Sequence, residues 1–251
     1  MSLVNFTLKY HPMKNIILIL FFLSTSANIN AQQLKSLINK AKETTGLSQG
    51  KASQTEIIEG LKEALSNGVS KGVSALSIEN GFLGNPLYKI ILPPEAQKIE
   101  KALRGVGLGA KVDEAILSMN RGAEDAMKNA APIFMDAIRG MEINDAIQIL
   151  RGPDTAATAY LRTATTLSLS NAFRPVIQES LEKSGATKHW TNLMTSYNKI
   201  SFQKVNTDLV GYVTERALQA AFKQIAEQEK QIRIDPAART TALLKKVFET
   251  K

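Results

Sequence analysis

Apolar residues recur at helical spacing along most of the chain. Leu34, Leu37, Ile38 and Ala41 do so over three turns, before the Gly-, Ser- and Thr-rich stretch 44–53 breaks the pattern as a linker. From Glu56 to Leu76, Ile57, Leu61, Leu65, Val69 and Val73 form one stripe, with Gly60, Gly68 and Gly72 along its edge. Each glycine costs roughly 1 kcal/mol against alanine in a helix interior, so the set implies close contact with another helix. Residues 77–94 lose the period at Asn80-Gly81 and Asn85-Pro86, yet Phe82, Leu83, Leu87, Tyr88, Ile90, Ile91 and Leu92 are apolar. Such a segment must pack on the core or cover a site.

Further helices follow. A short one starts at Pro93-Pro94-Glu95 and ends before Gly105–Gly109. The clearest period runs from Ala110 to Met141, through Val112, Ile116, Met119, Ala123, Ala126 and Ala130, and Pro132 should kink or break it. Asn144 is the expected cap of Asp145–Leu150, with Gly152-Pro153 as the stop. Asp154 to Ser184 reads as one long helix bent or split at Pro175. His189–Ile200 and Asp208–Arg233 come next; Asp235-Pro236 opens the approach to a last helix carrying Leu243, Leu244, Val247 and Phe248. No pair of alternating strands and no internal repeat is visible. The predicted fold is all-α: a single bundle-like domain over 54–251 with kinked long helices.

The N-terminus has a different grammar. Met13-Lys14-Asn15 is a short basic start, Ile16–Leu23 an unbroken apolar run of eight, and Ser24–Ala31 small and polar. That order predicts a secretory signal peptide over 1–31, cleaved after Ala31, although Ile29 is unusual three residues before the cut. Met1 to Pro12 fits no part of the pattern, which leaves Met13 as an alternative start. The apolar run is too short for a bilayer, which needs roughly 20 residues, so no transmembrane segment is expected after cleavage. The expected location is the periplasm or the extracellular space.

Cleavage removes Lys9 and Lys14 and no acidic residue, lowering the net charge from +8 to +6. The excess is spread thinly: residues 77–152 carry nine basic and ten acidic side chains. Without a basic run, and outside the cytoplasm, nucleic acid is not an expected partner; a weak association with anionic lipid or cell-wall polymer is. The absence of cysteine excludes disulfides, a thiol nucleophile and a lipid-anchored N-terminus. Beyond His11, His189 is the lone histidine, so neither a His-based triad nor a multi-His zinc site can form. No cofactor and no metal is expected.

Carboxylates are the remaining chemistry. Glu100, Asp113, Glu124, Asp125, Asp136, Glu142, Asp145 and Asp154 crowd the middle of the chain, and two at suitable separation could cleave a glycan. They also suit caps and surface pairs, Arg121 with Asp125 and Glu124 with Lys128, and that reading weighs more. Arg162 is the only charge between Thr155 and Phe173. On a central helix it would need Asp136, Asp145 or Asp154 as partner, or a ligand carboxylate or phosphate. Asp154, Thr158 and Thr166 share its side. Asp113, Asn120 and Glu124, along one edge of the regular helix, could reach Arg162 or Arg151. Arg162, Asp154, Thr158, Asn120 and Glu124 are therefore the candidate ligand-binding residues; no catalytic residue emerges.

Several motifs occur in order: Gly60-Leu61-Lys62-Glu63-Ala64-Leu65, Lys89-Ile90 with Leu92-Pro93, Asn120-Arg121-Gly122-Ala123-Glu124, and Pro132-Ile133-Phe134. Asp145-Ala146 with Ile149-Leu150, Ala156–Leu161, and Asp235-Pro236 through Lys245-Lys246-Val247-Phe248 continue them. Over about 56–249 the chain resembles the bacterial domain-of-unknown-function family 4197, departing from it at Gly122, where alanine is usual. The resemblance implies an exported, all-helical single domain and no particular reaction. The expected function is a non-enzymatic module binding an envelope partner or an apolar or anionic ligand, with 82–92 at the site. A carboxylate-dependent hydrolase of envelope polymer and a purely structural envelope protein are the alternatives.

Overall fold

A computed structural model describes residues 52–249 except 201 and 203–205. The signal peptide, the helix at 34–41 and nearly all of the linker lie outside the described residues. The elements are α1 Gln54–Leu76, a 3-10 turn Pro94–Ala96, α2 Gln97–Gly105, α3 Gly109–Met127 and α4 Ala130–Arg139. They continue with α5 Ile143–Arg151, α6 Ala156–Lys183, α7 Ala186–Ile200, α8 Leu209–Ile234, a second 3-10 turn Pro236–Ala238, and α9 Ala242–Glu249. No strand occurs among the described residues.

Helix starts follow from local chemistry. The Ser53 hydroxyl accepts from Glu56 N while the Glu56 carboxylate accepts from Ser53 N, a reciprocal cap that opens α1. Asp208 caps α8 by accepting from Gly211 N. At α5 the cap is Glu142, reciprocated by Asp145, rather than Asn144. The break expected from Pro132 falls upstream of it, at Lys128-Asn129. A proline ring crowds the carbonyl four residues back, here that of Lys128, and is tolerated within a first turn, where Pro132 stands in α4. Pro175 does not split α6.

Helix α6 packs against α3, α4, α5, α7 and α8, while α8 also contacts α1 and α3. The glycine stripe of α1 marks close approaches. A Cβ on Gly60 would lie 2.8 Å from Val247 Cγ2 of α9, and one on Gly72 3.2 Å from the Gln224 side chain of α8. Gly122 belongs to the same class: a Cβ there would meet Ser180 Cβ at 3.2 Å, where α3 crosses α6. Phe134 and Phe222 stack edge to face at 5.8 Å in the core.

Helix α6 corrects one expectation. Beyond its first turn, its buried residues, Leu161, Thr165, Leu169, Phe173, Ile177 and Leu181, step by four and leave a broad face in solvent. Arg162 is on that face, and Leu167 is 75% exposed. The uncharged surface is stable in water because its hydroxyls bond inside the helix: Thr163 Oγ1 to Ala159 O at 3.2 Å and Thr166 Oγ1 to Arg162 O at 2.6 Å.

Candidate functional site

The residues singled out by sequence do not form one site. Arg162 meets none of Asp136, Asp145 or Asp154; its guanidinium lies 4.4 Å over the Phe222 ring. Asp154 precedes α6 and is exposed. Thr158 is buried, donating its hydroxyl and its N–H to Glu229 Oε2 at 2.8 and 2.9 Å. Glu229 also accepts from Ala157 N and from Arg233, which in turn donates to Ile149 O and Leu150 O. One buried ion pair on α8 thus caps the start of α6 with a carboxylate and the end of α5 with a guanidinium, each sign matching the helix dipole it meets. Its spacing of four was visible in the sequence.

The other carboxylates are similarly occupied. Glu100 and Asp113 both pair with Arg104, Asp125 with Lys128, and Asp136 with Arg139. Arg121 reaches Glu124 and Glu79 rather than Asp125. Among the described residues, no cluster of three His, Asp or Glu side chains could hold a metal ion.

Asn120 and Glu124 have a different task. They stand one turn apart on α3, both buried, facing the segment that follows α1. Gly81 brings that segment tight against the end of α1, since a Cβ would lie 2.7 Å from Ala75 O and Leu76 O. Glu124 Oε1 then accepts from Phe82 N at 3.1 Å and Leu83 N at 3.3 Å. Asn120 accepts from Ile90 N and donates to Ile90 O, both at 2.8 Å. An extended segment without a neighbouring strand leaves buried peptide groups in need of partners, and these side chains supply them. They shape the site but do not line it.

Held this way, residues 87–92 alternate. Tyr88, Ile90 and Leu92 point into the core, while Leu87 (67% exposed), Lys89 and Ile91 (47% exposed) point out. Between this outer edge and α8 runs a groove of about 280 Å³. Tyr212, Arg216, Gln219 and Lys223 line it from one face of α8. The Tyr212 hydroxyl donates to Ile91 O at 2.9 Å and fixes the segment to the helix. Tyr88 donates to Gln224 Oε1 at 2.6 Å and Glu227 Oε2 at 3.1 Å. Burial, reinforced by the Glu227 acceptor, pushes its hydroxyl up to about 12, so Tyr88 stays a neutral donor.

The cations of the groove are Lys89, Arg216 and Lys223. Arg216 lies 5.5 Å over the Tyr212 ring and donates to Gln219, and Lys223 lies 5.6 Å over the Tyr88 ring. Among the described residues none of the three is ion-paired. The sequence hid the group because 89 is far from 216 and 223. Its one readable sign was Tyr212, Arg216 and Lys223 falling on one helical face.

Fold and groove together define an all-helical domain with a cationic, tyrosine-lined surface groove. The chain belongs to the family described as Protein of unknown function (DUF4197), which matches residues 51–249. No curated protein and no solved structure matches it. No described helix is long and apolar enough to cross a membrane.

Proposed function

We propose that this protein is an exported binding module whose groove holds an anionic amphiphile, the headgroup of a lipid in the envelope membrane. The observation that carries the reading is the grouping of three unpaired cations with Leu87 and Ile91 on one outward edge. Cations answer the headgroup charge; the two exposed aliphatic side chains enter the acyl boundary. Each basic residue near an anionic surface contributes about 1 kcal/mol, so such binding is reversible and salt-sensitive. The signal-like segment at 13–31 supports action outside the cytoplasm.

Co-sedimentation of residues 32–251 with phosphatidylglycerol vesicles, against phosphatidylcholine vesicles, tests this. Binding should require the anionic lipid, and Lys89→Ala, Arg216→Ala and Lys223→Ala should each weaken it about fivefold. Leu87→Ser with Ile91→Ser should weaken vesicle binding but not the binding of soluble glycerol phosphate. Equal binding to both vesicle types, or no effect of the three alanines, overturns the reading. Export is tested separately: protein recovered from the cell envelope should begin at or near Gln32, and an intact Met13 would contradict it.

A further inference from the structure

The cations of the groove are held apart. Arg216 and Lys223 stand seven residues apart on α8, about 10 Å along the helix at 1.5 Å per residue. Their side chains lean in opposite directions. Arg216 lies over the ring of Tyr212, one turn towards the helix start, and donates to its hydroxyl at 3.4 Å. Lys223 lies over the ring of Tyr88, whose hydroxyl is anchored at Gln224 and Glu227, towards the helix end. The opposite wall runs antiparallel to α8, with Tyr88 fixed at Gln224 and Ile91 at Tyr212, so Lys89 stands between those two points. No carboxylate lines the groove. Lys89 is nonetheless partly compensated by Asp113, whose carboxyl is held low first by its hydrogen bond from Arg104 and, more weakly, by the charge of Lys89.

A single phosphate cannot serve both ends. An ion pair needs its charged atoms within about 4 Å, so one tetrahedral group at Arg216 leaves Lys223 unmet about two turns away. For both to reach it, each cation would have to give up its tyrosine ring. The size of the groove fits a larger headgroup. Its volume of about 280 Å³ is at the lower edge of ordinary ligand pockets, roughly 300–1,000 Å³, which is room for a polar headgroup but not for acyl chains as well. Resting on the reading of this groove as a lipid-headgroup site, we infer that its occupant carries two phosphates bridged by a short polyol, as cardiolipin does. One phosphate pairs with Arg216 and the other with Lys223, Lys89 faces the bridge, and the acyl chains lie outside against Leu87 and Ile91.

Co-sedimentation with vesicles of matched surface charge tests this, each cardiolipin replacing two phosphatidylglycerols in a phosphatidylcholine background. Non-specific attraction to an anionic surface treats the two vesicles alike. A two-phosphate site should bind the cardiolipin vesicles about fivefold more tightly, the contribution of one further basic residue near a phosphate. Arg216→Ala and Lys223→Ala should each bring that ratio to one. Lys89→Ala should weaken binding to both vesicles and leave the ratio unchanged, with the helical circular dichroism retained in all three variants. Equal binding of the matched vesicles by the unaltered protein overturns the inference and leaves the anionic-lipid reading standing; binding to neither overturns both. A cardiolipin preference that survives Arg216→Ala and Lys223→Ala arises from bilayer packing rather than from the groove, and overturns the inference too.

Discussion

Helix α8 treats charge in two ways along its length. Near its end, Glu229 and Arg233 are buried, and the carboxylate alone takes up donors from α6 and from Arg233. Roughly two to four turns before Glu229, Arg216 and Lys223 face a groove, resting on tyrosine rings without a carboxylate. The first arrangement is complete in itself, and every hydrogen bond it makes beyond the pair joins α8 to α5 or α6. The second has donor capacity left over. A charge that the fold does not need for its own cohesion is the better guide to a ligand.

The contrast has measurable consequences, and the largest lies at the enclosed end. Glu229→Gln leaves the Arg233 guanidinium buried without its counter-charge, and should cost about 3–5 kcal/mol. Urea denaturation would show it, and a loss below about 1 kcal/mol, the worth of an exposed pair, would mean that water reaches the cluster. Next comes the clamp. Asn120→Ala strands the N–H and carbonyl of Ile90, expected to cost roughly 1–3 kcal/mol. It should also speed hydrogen exchange at Ile90 more than at core amides of α6, because the 87–92 edge loses its tether.

Much of this was legible in the sequence, for identifiable reasons. The α1 glycines and the Glu229–Arg233 spacing are local patterns with one physical meaning each. The apolar segment at 82–92 was readable as core-packed because its residues outnumber what a solvated loop tolerates. Arg162 misled because a lack of charge resembles burial. Threonine hydroxyls on α6 satisfy themselves against their own helix, so the exposed face needed no ionised groups. The groove escaped notice because proximity between Lys89 and α8 is a tertiary fact. The roles of Asn120 and Glu124 depend on where a nonhelical segment comes to rest, which no periodicity records.

A third test uses a pair of intermediate exposure. Lys246 donates to Glu56 at 2.6 Å, joining α9 to the start of α1, and that bond, with the Ser53 cap, holds the Glu56 carboxyl at about 2 against an ordinary 4.5. A carboxylate depressed in the folded state contributes stability that is fully present above 4.5 and lost as pH falls towards 2. Glu56→Gln should therefore flatten the acid limb of stability between those values, as read by thermal melts across pH. An unchanged acid limb would show that other carboxylates carry the transition.

The smallest effect is expected at Arg162, where the sequence suggested the largest. Had its guanidinium been buried against a carboxylate, removing it would cost about 3–5 kcal/mol. It is instead exposed and stacked at 4.4 Å on Phe222, an arrangement worth about 0.5–1 kcal/mol. Arg162→Met keeps the aliphatic stem over the ring, so part of the packing survives the loss of charge. The net loss should be at or below about 1 kcal/mol. Arg162→Lys, which retains charge but cannot lie flat on the ring, should behave similarly. A double change with Phe222→Leu sharpens the test. If cation and ring interact directly, the Arg162 substitution should cost less once the ring is gone, and the difference is the coupling energy. Equal costs in both backgrounds would reduce Arg162 to a solvated side chain. A loss of several kcal/mol would restore the buried pair and put the exposed face of α6 in error.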